Sequence, residues 1–389
     1  MPATSRVRVA YFVPPSQHFA GIERVVHEIA TGLAETYADV LDVHVLFATD
    51  YDEDLLDDTS YTRHVLGVHR LRHLTTALRG TVARHDFDIL VCPQVEASVI
   101  AWLATRGLRL PFFIPHLHGN PQVEEQQGTR RTRVAFQLFR HLVARRISGV
   151  LVVSPSLGRY TARAVARHTP VHYARNPVRD LGDRGSRAAA TGRFRFLNVA
   201  RLSRQKGQDL LLEALAIARP DLPPVSLTLV GSGPDEDKLR QLSRELGLDD
   251  IVTFAGYTSD PASYFRSADC FVLASRWEGF GVVLVEALQF GLPLLATDCD
   301  FGPADVITDP RIGELVPAES ARALAEGLKR AAARPTDADQ DAFRRGTADV
   351  YRREEVATTH FEILSQIVAA WATQQSRPAS LMSGSDIAA

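Results

Sequence analysis

Two glutamates eight positions apart, Glu278 and Glu286, are the side chains of this 389-residue chain whose type and spacing point most directly to chemistry. They bracket Glu278-Gly-Phe-Gly-Val-Val-Leu-Val-Glu286. The apolar run Cys270–Ser275 reads as a buried strand, and the amphipathic run Val282–Phe290 reads as a helix. A strand, a glycine-bearing loop and a helix start leave backbone N–H groups unpaired at the positive end of the helix dipole. That is a natural seat for a diphosphate. Like charges repel, so neither carboxylate belongs on the phosphates; both are placed to accept hydrogen bonds from hydroxyls. A ligand with hydroxyls on both sides of a diphosphate is a nucleotide sugar.

Cations of the right kind stand upstream. Arg201 ends the strand run Phe194–Ala200, and Lys206 follows in Arg-Leu-Ser-Arg-Gln-Lys-Gly before a helix. A cation at a helix start gains nothing from the dipole, so a bound anion is the better explanation for the pair. Val230-Gly-Ser-Gly-Pro234 precedes Asp235, Glu236 and Asp237; three acids argue against a phosphate cradle and for a plain turn. Phe254-Ala-Gly-Tyr257 ends the next strand, and Tyr257 is either packing or ligand contact. In the first half, Gly21 opens a helix after the strand Val7–Val13. His116 and His118 end the strand run Phe112–His116, pointing the same way by two-residue alternation. No third ligand lies near them in sequence, so no metal is expected.

The elements that must position these residues alternate throughout. First-half strands are expected at Val7–Val13, Leu41–Phe47, Ile89–Cys92, Phe112–His116 and Gly149–Val153. Second-half strands are expected at Phe194–Ala200, Ser226–Val230, Ile251–Phe254, Cys270–Ala274 and Leu294–Ala296. Helical patterns lie between them, and alternation of this kind predicts two doubly wound parallel sheets. The expected organisation is a first domain over 1–180, a polar linker at Leu181–Thr191 and a second domain over 192–355. A last helix over 356–372 and a disordered tail over 373–389 complete it. The run Arg130–Ile147 reads as one amphipathic helix, with Arg130, Arg133, Arg140 and Arg145 on the arc opposite its apolar residues.

Composition narrows the class. Hydrophobic residues make up 45% and charged residues 23%, as in a soluble globular protein. No apolar run approaches the roughly 20 residues that a bilayer span needs. Three scattered cysteines imply neither a disulfide framework nor a metal cluster, and suit a reducing, cytoplasmic home. Net charge is −2 overall, with no basic excess to suggest nucleic acid.

The motifs, taken in order, resemble the retaining glycosyltransferases of family 4, which have the GT-B fold of two Rossmann-like domains facing across a cleft. The likeness rests on Glu278–Glu286, Arg201…Lys206-Gly, Gly-Ser-Gly-Pro234, Ala20-Gly-Ile-Glu-Arg-Val-Val26, His118 and Phe301-Gly-Pro-Ala-Asp305-Val-Ile307. Ala20 replaces a usual glycine, and Asp305 a usual glutamate. The resemblance implies hexosyl transfer from a nucleoside diphosphate sugar, UDP above all, to an acceptor hydroxyl in cell-surface glycan or glycolipid synthesis. It implies no metal or other cofactor. Glu286 would bind ribose, Glu278 the sugar, and Arg201, Lys206 and the Gly279-Phe280-Gly281-Val282 backbone the diphosphate. Tyr257 would lie near the base, Gly21 would approach the diphosphate from the first domain, and His118 would face the anomeric carbon. The last helix would cross back to the first domain. Lipid-linked acceptors among relatives raise contact of the basic helix with an anionic membrane face. No carboxylate base stands out in the first-half motifs, so the acceptor proton is expected to leave through the donor phosphate. Acceptor contacts are expected from the loops Asp50–Tyr61 and Asn120–Thr129. A nucleotide-sugar epimerase would be favoured by two clustered catalytic carboxylates plus a base in the first domain, which the motifs do not show; a non-catalytic binding protein would be expected to lose one of the four charged residues, and none is lost. A pseudo-glycosyltransferase would keep them all and stays open.

Overall fold

The computed structural model describes residues 6–375 apart from 17, 18, 20, 52–55, 69, 70, 111, 183–191, 335 and 336. Much of the expected linker, and the tail beyond 375, lie outside the described residues. Among the described residues, thirteen strands form two all-parallel sheets. The first contains β1 Val7–Val13, β2 Leu41–Phe47, β3 Thr62–Val65, β4 Ile89–Pro93, β5 Phe112–Leu117, β6 Val150–Val152 and β7 Val171–Tyr173, in the order β3-β2-β1-β4-β5-β6-β7. The second contains β8 Phe194–Val199, β9 Val225–Val230, β10 Val252–Gly256, β11 Cys270–Leu273, β12 Leu294–Asp298 and β13 Gly313–Pro317, in the order β10-β9-β8-β11-β12-β13. Central strands such as β1 and β4 are covered on both faces, and their near-continuous apolar runs follow from that.

Strand order reverses between β1 and β4 and again between β8 and β11. Loops leaving the carboxyl ends on either side of such a switch diverge and open a crevice. Gly21 lies beyond β1, Arg201 beyond β8 and Glu278 beyond β11. The fold therefore brings the chemistry-bearing positions to the two switch points.

The ten expected strands all form, with ends shifted by a residue or two. The three that the sequence reading omits, β3, β7 and β13, each lie at a sheet edge. The run Arg130–Ile147 is not one helix. It is helical over Arg130–Leu138, then widens into a π turn over Phe139–Val143, with Ala144 N donating to Phe139 O at 2.8 Å. Arg140 consequently does not belong to a solvated basic arc. Its Nη1 donates to Glu125 Oε1 at 2.6 Å, its Nε to Ala164 O at 2.8 Å, and its guanidinium lies over the Phe136 ring. The expected loop Asn120–Thr129 likewise contains a helix, Pro121–Gln127, capped by Asn120 Oδ1, which accepts from the N–H groups of Gln122 and Val123. An Asn-Pro pair at N-cap and first helical position is the signature of that start.

The last described helix, Arg353–Gln375, packs against Ile22–Thr36. Arg353 Nε donates to Glu28 Oε2 at 2.7 Å, the Tyr37 and Phe361 rings stack at 4.0 Å, and Val356, Ala357, Leu364 and Ile367 fill the same core as β1 and β2. Among the described residues, no helix is long and apolar enough to cross a membrane.

Candidate active site

Glu278 is 5% exposed, and two donors converge on its Oε1: Lys206 Nζ at 2.5 Å and Ser275 Oγ at 2.7 Å. Lys206 reaches it from a single 3-10 turn, Arg204–Lys206, ended by Gly207 in the left-handed region. The pair anchors the carboxylate, and among the described residues no donor reaches its second oxygen. Arg201 is exposed, and its guanidinium makes no hydrogen bond or ion pair among the described residues, so it is the cation free to meet an anion. The helix Val282–Gln289 starts from Gly281 at φ 84° with no side-chain cap, so no protein side chain competes for the N–H groups of its first turn. Phe280 is buried against Tyr351, so only its backbone faces that loop. Cys299 lies close enough to Glu278 to feel its charge; burial first, and that charge second, push its thiol up to about 12, where it is inert.

Glu286, 8% exposed, is not free. Arg179 Nε donates to its Oε1 at 2.9 Å, and Arg179 Nη1 donates to Ser259 O at 2.7 Å. The Arg179 carbonyl in turn accepts from Gln289 Nε2 at 3.0 Å. Arg179 thus ties the second glutamate to the turn after Tyr257, a side chain that is 66% exposed and so is not packing. The sequence reading passed over Arg179. A lone arginine after Asn-Pro-Val carries no periodic or motif signal, and only the fold brings it 107 positions along the chain to Glu286.

On the first-sheet side, Gly21 starts its helix at φ 60° with open space where a side chain would stand. The His116 and His118 rings lie 3.9 Å apart, side by side as the alternation requires, and His360 of the last helix sits 5.5 Å from His116. Neither ring nitrogen of His116 or His118 is hydrogen-bonded; Asn176 lies close to His118, yet its own oxygen is unpartnered. Burial foremost, then the neighbouring His360, lowers His118 to about 3; burial lowers His360 to about 4 and drives His116 well below its usual value. All three are therefore uncharged imidazoles near neutral pH.

The halves meet backbone to backbone. A Cβ on Gly279 would lie 1.9 Å from His118 O. Ser154 Oγ donates to Gly279 O at 3.0 Å, and Ser156 N donates to Asp305 Oδ2 at 3.1 Å. Asp305 is thus a contact between the halves. His118, Glu278, Lys206 and the Gly279 loop are brought to one place; Glu286 and Tyr257 lie further along the same sheet edge, joined through Arg179. Among the described residues, no group of three or more His, Cys, Asp or Glu is arranged to hold a metal ion.

Residues 20–177 match the glycosyl transferase 4-like domain, and residues 183–346 match the glycosyl transferases group 1. The chain belongs to the group 1, family 4-like glycosyltransferases. An uncharacterized glycosyltransferase of Methanocaldococcus jannaschii is 34% identical to this family member over 114 residues, 29% of this chain and 28% of that relative. The chain thus spans little more than a quarter of that relative's length. Among solved structures, sucrose-phosphate synthase from Thermosynechococcus elongatus superposes with TM-score 0.76 at 20% identity, covering 94% of this chain and all of that one. Anabaena HepE, solved with UDP-glucose, superposes at 0.72 and 22% identity, covering 95% and 100%. These likenesses establish the GT-B fold of this glycosyltransferase-family chain.

Two outcomes follow from the geometry. Gly279→Ala forces its loop away from His118; displacement of about 1 Å costs about 100-fold in rate. Turnover is expected to fall by that order with the thermal midpoint little changed, and a fully active alanine variant would contradict the contact. The buried histidines set a pH dependence. Their folded values lie below the ordinary 6.5, so between about pH 6.5 and 4 the unfolded chain binds more protons and stability falls as pH falls. The urea midpoint is expected to be lower at pH 5 than at pH 7.5, with a shallower loss in His360→Gln.

Proposed function

We propose that this chain is a retaining hexosyltransferase that moves a sugar from a nucleoside diphosphate, UDP foremost, to an acceptor hydroxyl in glycan or glycolipid synthesis. One observation carries the reading: an uncapped helix start at Val282 opens between two buried carboxylates, and Arg201, unpartnered among the described residues, follows the adjoining strand β8. Arg201, Lys206 and the Gly279–Val282 backbone hold the diphosphate and stabilise the charge left on it as the sugar departs. Their fixed charge takes the part of a metal ion. Glu278, anchored by Lys206 and Ser275, offers its second oxygen to sugar hydroxyls. Glu286, oriented by Arg179, offers its remaining acceptor positions to ribose, with Tyr257 near the base. His118 is kept neutral, so it can stand beside an anomeric carbon gaining positive charge without repelling it. HepE, crystallised with UDP-glucose on the same fold, supports the choice of UDP.

The helix Arg130–Leu138 supplies a second contact. Val134 is 57% exposed and Leu138 37%, flanked by exposed Arg130 and Arg133, with Arg145 exposed beyond the π turn. Apolar side chains rimmed by arginine suit an anionic lipid surface. Arg140, bound to Glu125, takes no part.

The first test is binding of UDP- and GDP-sugars by thermal shift, with and without EDTA. A shift with a UDP-sugar that survives EDTA is expected; no shift with any nucleotide sugar would refute the reading. For the lipid contact, co-sedimentation with phosphatidylglycerol vesicles is expected, and to drop several-fold in Arg133→Ala/Val134→Ser. Equal sedimentation of the two proteins would count against it.

A further inference from the structure

Gln94, Gly119 and Glu124 stand together just past the carboxyl ends of β4 and β5. Gln94 starts the helix Val95–Thr105 at φ 58° and ψ 162°, backbone space nearly confined to glycine. Its N–H donates to His116 O at 3.0 Å, and its Oε1 accepts from the N–H groups of His118 and Gly119, each at 3.3 Å. The strained residue is thereby a clamp on the His118 segment. A Cβ on Gly119 would lie 2.2 Å from Glu124 Oε1 and 2.8 Å from Gln94 Nε2, so both side chains occupy space that only glycine leaves. On its other side, the Gly119 Cα is 3.1 Å from where a Gly279 Cβ would stand. The Glu124 carboxylate is one residue's thickness from the loop that follows Glu278.

Glu124 also lacks a partner. Its neighbours are satisfied: Arg131 pairs with Glu96, and Arg140 pairs with Glu125. No hydrogen bond or ion pair reaches the Glu124 oxygens among the described residues. Close by in the chain, the buried Asn120 Nδ2 has no acceptor either. An unpaired acceptor and an unpaired donor beside the neutral His118 call for a hydroxylated ligand.

We infer that Glu124 is the acceptor-side catalytic residue, binding a sugar or polyol hydroxyl and taking its proton during transfer. The assignment rests on the glycosyltransferase reading above. In the step, the acceptor oxygen bonds to the anomeric carbon on the face from which the diphosphate departs, as retention requires, and its proton passes to the Glu124 carboxylate in place of the donor phosphate expected from sequence. The bond from that carbon to the diphosphate oxygen breaks, and the diphosphate leaves with the electron pair. The chemistry suits the group: burial first, and the Glu96 charge second, push the Glu124 carboxyl up to about 7, where a base is both available and effective. The charged and titratable groups around it are Glu96 with Arg131, Glu125 with Arg140, and His118.

The test compares wild type with Glu124→Gln and Glu124→Asp. Binding of UDP, UDP-glucose and UDP-N-acetylglucosamine is measured first. UDP release is then followed from pH 5.5 to 8.5, with water alone and with glycerol as acceptor. Donor binding and thermal midpoint are expected to be unchanged in both variants. In Glu124→Gln, release falls about 100-fold or more and loses the wild-type dependence on an ionisation near pH 7; Glu124→Asp retains a shifted one. Wild-type release and pH profile in Glu124→Gln, with donor bound, would overturn this assignment alone. So would a wild type that binds donor yet releases no UDP to either acceptor. A wild type that binds no nucleotide sugar would overturn the function reading, and this one with it.

Discussion

Close approach of two main chains is the constraint on which the site depends. The Gly279 loop and the His118–Gly119 segment touch without side chains between them. This contact fixes the distance from the helix start at Val282 to the neutral imidazole at His118, and so the space between them. A methyl group would hold the loop off. The hydrogen bond from Ser154 to Gly279 O and that from Ser156 to Asp305 hold the same approach from either side.

Charge is distributed around that contact in a graded way. Lys206 is spent largely on Glu278, Arg179 on Glu286 and Ser259, and Arg201 on no hydrogen bond or ion pair among the described residues. Partnered cations orient the carboxylates, which would otherwise be costly to bury. The unpartnered one is left to an incoming anion. The three imidazoles opposite are neutral, because burial holds His116, His118 and His360 below their ordinary value. A developing positive charge on a sugar would thus face dipoles and carboxylates, and a developing negative charge would face Arg201 and amide hydrogens.

What could be read from sequence follows from burial. Strands covered on both faces announce themselves as apolar runs, and all of those were legible. The edge strands Thr62–Val65, Val171–Tyr173 and Gly313–Pro317 are short, partly covered and broken by polar residues, so they carry no apolar run to detect. The glutamate pair, Arg201 and Lys206 were legible because they cluster within short loops after strands. Arg179 and Gln94 were not, since each is bonded to groups distant in sequence; Glu124 was not, since only the fold brings it beside Gly119. The helix Pro121–Gln127 was expected to be a loop because its composition is polar, although Asn120-Pro121 marks a helix start. The π turn at Phe139–Val143 was not, since a one-residue change of register leaves the apolar pattern nearly intact.

The helix Arg353–Gln375 gives the chain an order of assembly. Its Val356, Ala357, Leu364 and Ile367 belong to the core that β1 and β2 share with Ile22–Thr36, and its His360 packs beside His116. Those side chains are the last part of that core to be synthesised. During translation the second sheet, whose strands all precede residue 318, has its full complement while the first still lacks one wall. The core around β1 therefore waits for residues 356–367 before it closes, and His116 meets His360 only then.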